Sequence, residues 1–263
     1  MNPEARVDKT PDCWDRSYAA PVPDTSDVER MLRRVAFRLV KGRLLDRFGT
    51  LAGLRTIEVG AGLGRMSLGL CREGAETTLL DSSPMALAKA CELFGKLGLG
   101  RPATLPMDLL AAEDAEGVEG LNGRFDVVMS FGLAEHFQSA ERERVVGRHF
   151  DLARPGGLVV ISVPNRSCPT YRLFVWTKRH ILRTWGLGLE IPFSRAELAG
   201  LAAGRAERWE ILSTPLWESV CDHLVDPIAG KLGLKSVCGS KGPGLGVLDR
   251  LGYALILVAE AAK

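Results

Sequence analysis

The stretch Thr56-Ile57-Glu58-Val59-Gly60-Ala61-Gly62-Leu63-Gly64, followed by a second apolar run ending at Asp81, constrains this chain more than any other feature. It spells strand, glycine turn, helix, strand and acid, the front half of a nucleotide-binding unit. Glycines tolerate positive φ and let a ligand lie against bare backbone. The helix that follows offers free N–H groups and a positive dipole end to that ligand. An acid closing the next strand can accept from both hydroxyls of a ribose. Spacing then discriminates between cofactors. A G-x-G-x-x-G fingerprint would need its third glycine at 65, where Arg65 stands, and the glycine comes at 64. Glu58, two residues before the turn, is unusual for a pyrophosphate site and suits a ligand carrying positive charge, such as an amino group.

Alternation of such strands with helices at short loop lengths predicts a doubly wound, mostly parallel sheet. Strands are expected at 55–59, 76–80, 103–105, 125–131, 158–163, 208–212 and 253–259. The fourth is continuous in apolar residues, as a strand buried on both faces should be. Leu32, Val35, Ala36, Leu39 and Val40 recur at helical spacing among Arg30, Arg33, Arg34, Arg38 and Lys41, which predicts one amphipathic helix with a solvated basic face. Further helices are expected at 63–72, from Pro84, and at 139–153, stopped by Pro155 and Gly156. Another is expected from Ser194 through Ala203, opened by a capping box with Glu197. Acidic and glycine-rich residues 111–124 read as a solvent loop.

With 263 residues, 46% of them hydrophobic, the chain can bury one large core. We expect one domain over residues 1–263: an irregular arm at 1–27, a binding core at 28–165, a helical insertion at 166–193 and the rest of the sheet at 194–263. Charges nearly cancel, 34 basic against 32 acidic, so bulk electrostatics do not demand nucleic acid. Cys13, Cys71, Cys91, Cys168, Cys221 and Cys238 are scattered, with no C-x-x-C. That spacing argues against structural zinc and fits reduced thiols in a cytoplasmic protein. The N-terminal stretch has no apolar h-region, so no signal peptide is expected. No apolar run reaches the about 18 residues of a spanning helix.

E-x-G-x-G-x-G with Asp81, then Pro106-Met107-Asp108, Phe125-Asp126-Val127-Val128 and Leu152-Ala153-Arg154-Pro155-Gly156-Gly157, resembles the class I S-adenosyl-L-methionine (SAM) methyltransferases of the small-molecule type. The resemblance spans about residues 50–165 in the expected order. It implies a seven-stranded sheet with a reversed last strand at 253–259. It also implies SAM as cofactor and a small-molecule acceptor methylated on oxygen or nitrogen. By resemblance, the backbone of Gly60, Ala61, Gly62 and Gly64 faces the methionine part, and Glu58 lies near its amino group or positions the loop. Asp81 holds the ribose hydroxyls, with Ser82 at the pocket edge. Asp108 accepts from the adenine amine, and Leu109 donates its backbone N–H to the ring. Each of these acids also has a plainer reading, as a capping, loop or strand-end carboxylate.

Ser130-Phe131-Gly132-Leu133-Ala134-Glu135-His136 follows the fourth strand, where cofactor and acceptor are both within reach. Small-molecule SAM enzymes often read L-E-H here. Histidine titrates near neutrality, so His136, with Glu135, could take a proton from an acceptor hydroxyl or amine; a capping role for the pair is equally consistent. Ubiquinone-type O-methyltransferases carry E-x-x-E-H at a divalent metal. Here Gly132 replaces the first glutamate, so no metal is expected.

Two segments are expected to shape the acceptor pocket. Trp14-Asp15-Arg16-Ser17-Tyr18 resembles the W-D-x-x-Y arm that folds over SAM in related enzymes. The insertion sets Tyr171, Leu173, Phe174, Val175, Trp176, Ile181, Leu182 and Trp185 among Arg166, Arg172, Lys178, Arg179 and Arg183, with no acid until Glu190. It reads as a lid for an anionic or amphipathic acceptor, with Arg172 and Trp176 in contact, as a helix packed with snorkelling arginines, or, less favoured, as a membrane-surface helix. The rival functions are an NAD(P)-dependent oxidoreductase, opposed by Arg65, and a SAM-binding scaffold without turnover.

Overall fold

The computed structural model describes residues 14–15, 18–19, 21–111, 114–183, 190–226 and 246–262. Expectations resting on Cys13, Arg16, Ser17, Trp185 and Cys238 fall outside these residues. Seven strands form one sheet: β1 (Arg55–Val59), β2 (Glu76–Asp81), β3 (Ala103–Pro106), β4 (Phe125–Phe131), β5 (Ala153–Pro164), β6 (Ala206–Ser213) and β7 (Ala254–Ala261). Their order is β3-β2-β1-β4-β5-β7-β6. The first five run parallel, and β7 runs antiparallel to both β5 and β6. This is the architecture the resemblance implied, reversed last strand included. The order changes direction at β1 and β4, which opens a crevice beyond their carboxyl ends.

Strand period explains the layers. In β4, Val127 and Met129 face one core with Phe37, Val40 and Leu44, while Val128 faces the other with Val145 and Val146. A residue period of two sends neighbours to opposite faces, so a strand covered on both sides must be apolar throughout. Asp126 is the exception at its start, and it accepts from the Arg55 amide at 2.8 Å and from the Arg154 side chain.

Helices α1 (Thr25–Leu32) and α2 (Val35–Phe48) replace the single helix expected there. The break at Arg33–Arg34 shifts the buried seam of α2 to Phe37, Val40 and Leu44. Arg34, partly exposed, is not a free cation on that face: it makes two 2.7 Å hydrogen bonds to the Asp222 carboxylate, a partner 188 residues away. After β1 comes α3 (Arg65–Cys71), and after β2 comes α4 (Pro84–Lys96). Pro84 sits in its first turn, and the Ser83 hydroxyl accepts from the Ala86 amide.

The expected solvent loop at 111–124 contains a short helix, α5 (Ala115–Glu119), anchored by fully buried Val118. Helix α6 (Ser139–Leu152) passes directly into β5, so Pro155 and Gly156 lie inside the strand rather than after the helix. The register of β4 on β5 shifts between Phe125 and Val127, where Gly156 takes φ +70°. In the insertion, α7 (Pro169–Trp176) continues into a wider π turn, Thr177–Ile181. Helix α8 (Arg195–Ala202) opens with the Ser194–Glu197 capping box, and α9 (Leu216–Val220) follows β6. Cys71, Cys91 and Cys168 are free, but Cys221 is disulfide-bonded, against the expectation of reduced thiols throughout. Spacing along a chain does not say which cysteines a fold brings together.

Candidate functional site

A cleft opens beyond the carboxyl ends of β1, β2 and β4. Val59 and Gly60 enter it from β1, Leu80, Asp81 and Ser82 from β2, and Met107, Asp108 and Leu109 from the loop after β3. Gly132, Leu133, His136 and Phe137 close it after β4, and Trp14 and Tyr18 cover it from the arm. Of the residues expected to touch a cofactor, Gly60, Asp81, Ser82, Asp108, Leu109 and Gly132 therefore line one space, and His136 lines it with them.

The glycine turn is held in shape by Asp81. Its two carboxylate oxygens accept from the Gly62 amide at 2.7 Å and the Ser83 amide at 2.8 Å. Burial raises its pKa against those two bonds. Each oxygen keeps a second lone pair, so the same carboxylate can accept from ligand hydroxyls. Gly60 and Gly62 have φ of +61° and +53°. A Cβ on Gly60 would lie 2.7 Å from a Leu133 methyl, and one on Gly62 would collide with the Tyr18 hydroxyl. The turn is bare because other groups already crowd it.

Gly64 and Glu58 act behind the cleft rather than in it. Gly64 caps α3 in the left-handed conformation, and a Cβ there would strike Leu79 at 2.8 Å. Glu58 is buried and accepts from the Ser67 amide, in the first turn of α3, at 2.9 Å. It therefore holds the helix start against the strand. Burial pushes its pKa up to about 7. Ala61 is buried, and its amide donates to Leu80 O at 3.1 Å. Asp108 Oδ1 accepts from the Leu110 amide at 2.8 Å, and its own amide donates to Asp114 at 2.7 Å. Ser130 is buried within β4 and Phe131 packs on the sheet face shared with α2, so neither lines the cleft.

The arm contributes more to the cofactor end than an acceptor role implied. Tyr18 lies over Gly62, and burial, with Asp81 adding, pushes its hydroxyl up to about 12. Asp15 accepts from the Ser83 hydroxyl, tying the arm to the end of β2. Trp14 meets the His136 ring edge to face, with centroids 5.0 Å apart.

After β4, the chain turns through Ala134–His136 as a single 3-10 turn. Glu135 folds beneath Gly132, where a Cβ would approach its Oε1 at 3.3 Å. Its Oε2 is buried without a hydrogen-bond partner, and burial pushes the carboxyl up to about 8. Burial thus favours the neutral form of Glu135. His149 hydrogen-bonds Val145 O within α6 and is pushed down to about 4 by burial, a structural histidine.

Sequence reading missed Arg142. Its Nε donates to Phe137 O at 3.0 Å, Nη2 to Ile191 O at 2.7 Å and Nη1 to Glu197 at 2.5 Å, and it stacks 3.9 Å over Phe193. One buried guanidinium thus binds the post-β4 loop to the far end of the insertion. The signal was present, since Arg142 occupies the buried stripe with Val145, Val146, His149 and Leu152.

The insertion does not bring Arg172 and Trp176 to the cleft: both are exposed on the outward side of α7. Its inward side holds Tyr171, whose hydroxyl donates to Glu190 at 2.6 Å and whose ring lies 5.2 Å from Tyr253. Among the described residues, no group of three or more His, Cys, Asp or Glu is placed to hold a metal ion.

Comparison with known proteins gives this geometry a context. A methyltransferase domain model matches residues 29–210. A ubiquinone biosynthesis O-methyltransferase of Psychrobacter cryohalolentis is 31% identical over 137 residues, covering 51% of this chain and 49% of the relative. The chain thus spans about half the length of the curated relatives it matches. Magnesium protoporphyrin IX methyltransferase from Synechocystis PCC 6803, solved with bound S-adenosylhomocysteine, shares the fold at TM-score 0.54 and 19% identity, over 95% of this chain and 93% of that one. A Burkholderia thailandensis 1,6-didemethyltoxoflavin-N1-methyltransferase does so at TM-score 0.56 and 18% identity, over 96% and 88%.

Proposed function

The chain belongs to the methyltransferase domain family, SAM-dependent enzymes of class I fold, and from that premise we propose that it methylates an oxygen or nitrogen of a small-molecule acceptor. The observation that carries the reading is Asp81. It stands at the end of β2 in the cleft, already gripping the glycine turn, and His136 lines the same cleft. The residues present fit a nucleoside with an amino-acid tail: a glycine turn that brings bare backbone at Gly60 to the cleft, an acid for ribose, and Asp108 and Leu109 for a base.

Asp81 would hold the ribose hydroxyls, Asp108 the adenine amine and the Gly60–Gly62 backbone the amino-acid tail. Bound SAM would supply an electrophilic methyl and its own leaving group. The chain's part is to align the acceptor and exclude water. Trp14 and Tyr18 roof the cleft, and the edge-to-face contact with Trp14 helps hold the His136 ring. His136 takes the proton that an acceptor hydroxyl or amine must lose. Glu135, folded behind Gly132 where burial favours its neutral form, positions the loop. The relatives' O-methyltransferase names favour oxygen.

The test is to incubate the protein with methyl-labelled SAM and fractionated metabolite extracts, then follow label by mass spectrometry. Label in one small molecule, with matching S-adenosylhomocysteine, is the expected result. Cofactor binding without any labelled product would identify a non-catalytic SAM-binding scaffold instead.

A further inference from the structure

The inward and outward sides of α7 differ in a way the fold does not require. Inward, Thr170 and Tyr171 are buried. Phe174 packs on His223 at 5.2 Å, and Tyr171 is tied to Glu190 and Tyr253. Outward, Arg172, Leu173, Trp176, Arg179, His180 and Arg183 recur at helical spacing, and all are exposed. Ile181 and Leu182 join them at the end of the π turn. Leu173, Trp176, Ile181 and Leu182 are 50%, 52%, 61% and 46% exposed. Of the nine large apolar side chains exposed among the described residues, four fall in these ten positions. That concentration separates a patch from the scattered apolar residues any surface carries.

We infer that this outward face, residues 172–183, docks on the surface of anionic lipid bilayers. Charge complementarity selects the occupant. Arg166, Arg172, Lys178, Arg179 and Arg183 are accompanied by no acid anywhere between positions 166 and 189. The next one, Glu190, is engaged by Tyr171. Among the described residues, Arg172, Lys178 and Arg183 enter no ion pair. Apolar side chains interleaved with long cations let a helix lie at the headgroup boundary, apolar groups down and cations at the phosphates. Tryptophan favours the same depth. The eight residues of α7 and five of the π turn are too short to span, so the contact is interfacial.

The position has a consequence that rests on the proposed methyl transfer. Ile191, one residue beyond the Glu190 anchor, donates to Glu135 O at 2.9 Å, so Tyr171 on α7 is tied through Glu190 and Ile191 to the loop carrying His136. Docking would set the acceptor side of the cleft beside the bilayer, within reach of a lipid-borne acceptor.

The experiment is sedimentation of the full chain with vesicles, without cofactor, so that it is independent of the methyltransferase reading. The chain should pellet with vesicles of equal phosphatidylcholine and phosphatidylglycerol, not with phosphatidylcholine alone, and should be released by salt. Trp176→Asp and the double substitution Arg172→Glu/Arg179→Glu should each weaken partition by about tenfold or more. Leu45→Asp, an exposed apolar position elsewhere, should bind as the wild type does, and circular dichroism should report unchanged folding in every variant. Absence of binding to anionic vesicles, or undiminished binding by Trp176→Asp, would overturn the inference. So would a lipid-free dimer that Trp176→Asp dissociates, which would assign the face to a second copy of the chain.

Discussion

The two ends of the cleft are built by different means. At the β1–β2 end, the hydrogen bonds that hold the glycine turn and the start of α3 are short in sequence: Gly62 to Asp81, Ser83 to Asp81 and Glu58 to Ser67 span 19, 2 and 9 residues. At the β4–β5 end, Arg142 reaches Ile191 and Glu197, 49 and 55 residues away, and Thr170 meets His223 across 53. The first end is a backbone device, in which strands and a turn present amides. The second is a set of side chains held by other side chains. A backbone device tolerates change outside its few fixed positions, whereas a side-chain scaffold transmits the loss of one member to the loop it supports.

The largest test of that difference is His136→Ala. If His136 is the base, kcat should fall by about 10²–10⁴, with affinity for S-adenosylhomocysteine nearly intact. A loss of only a few-fold would leave the second end as scaffold alone.

Arg142→Met probes the clamp. Three charge-assisted hydrogen bonds are lost, and Phe137 O and Ile191 O lose their partner. We expect about 2–4 kcal/mol of stability to disappear in urea titration. Restoration of activity by lysine would weaken the argument, since a lysine cannot serve three diverging acceptors in one plane.

Asp81→Ala probes the other end. One charged acceptor is worth about 1.5–3 kcal/mol, so calorimetry should show S-adenosylhomocysteine bound about 10- to 100-fold more weakly. Stability should change less than in the Arg142 variant. Gly62→Val should damage binding at least as much, because valine resists positive φ and would meet Tyr18. Unchanged affinity in Asp81→Ala would remove it from the ribose role.

The last test reads a slope rather than a single loss. Glu135 titrates near 4.5 when exposed and is pushed up to about 8 in the fold. A carboxyl raised on folding contributes stability that is complete below the unfolded value. That contribution is lost as pH rises through the folded value, because the unfolded chain gives up its proton first. Wild-type stability should therefore decline from about pH 4.5 to about pH 8 relative to Glu135→Gln, which has nothing to titrate there. Parallel pH profiles for the two proteins would show that Glu135 is not held protonated.

These contrasts also explain which features were readable in advance. The five parallel strands were placed to within a few residues, except that β5 begins earlier, at Ala153. Their signals are local: an apolar run, a glycine turn, Pro84 in a first helical turn, the Ser194–Glu197 box. The break between α1 and α2 was missed because apolar residues keep helical spacing across it, and only contacts with the sheet select Phe37, Val40 and Leu44. The helix in 111–124 was missed because one buried residue, Val118, anchors an otherwise polar stretch.

The sequence by itself determined the parallel β–α order, the glycine turn with its acid, and the amphipathic character of the insertion. Each follows from bond rotation, side-chain shape or periodicity within a few residues. Only the tertiary structure decided which way that insertion faces: Tyr171 and Phe174 inward, Arg172 and Trp176 outward. It alone put Glu58 behind the turn, Tyr18 over Gly62, and Arg142 between two loops. Those outcomes depend on which surfaces meet across dozens of residues, where packing of close-fitting side chains chooses among arrangements that the local pattern leaves equal.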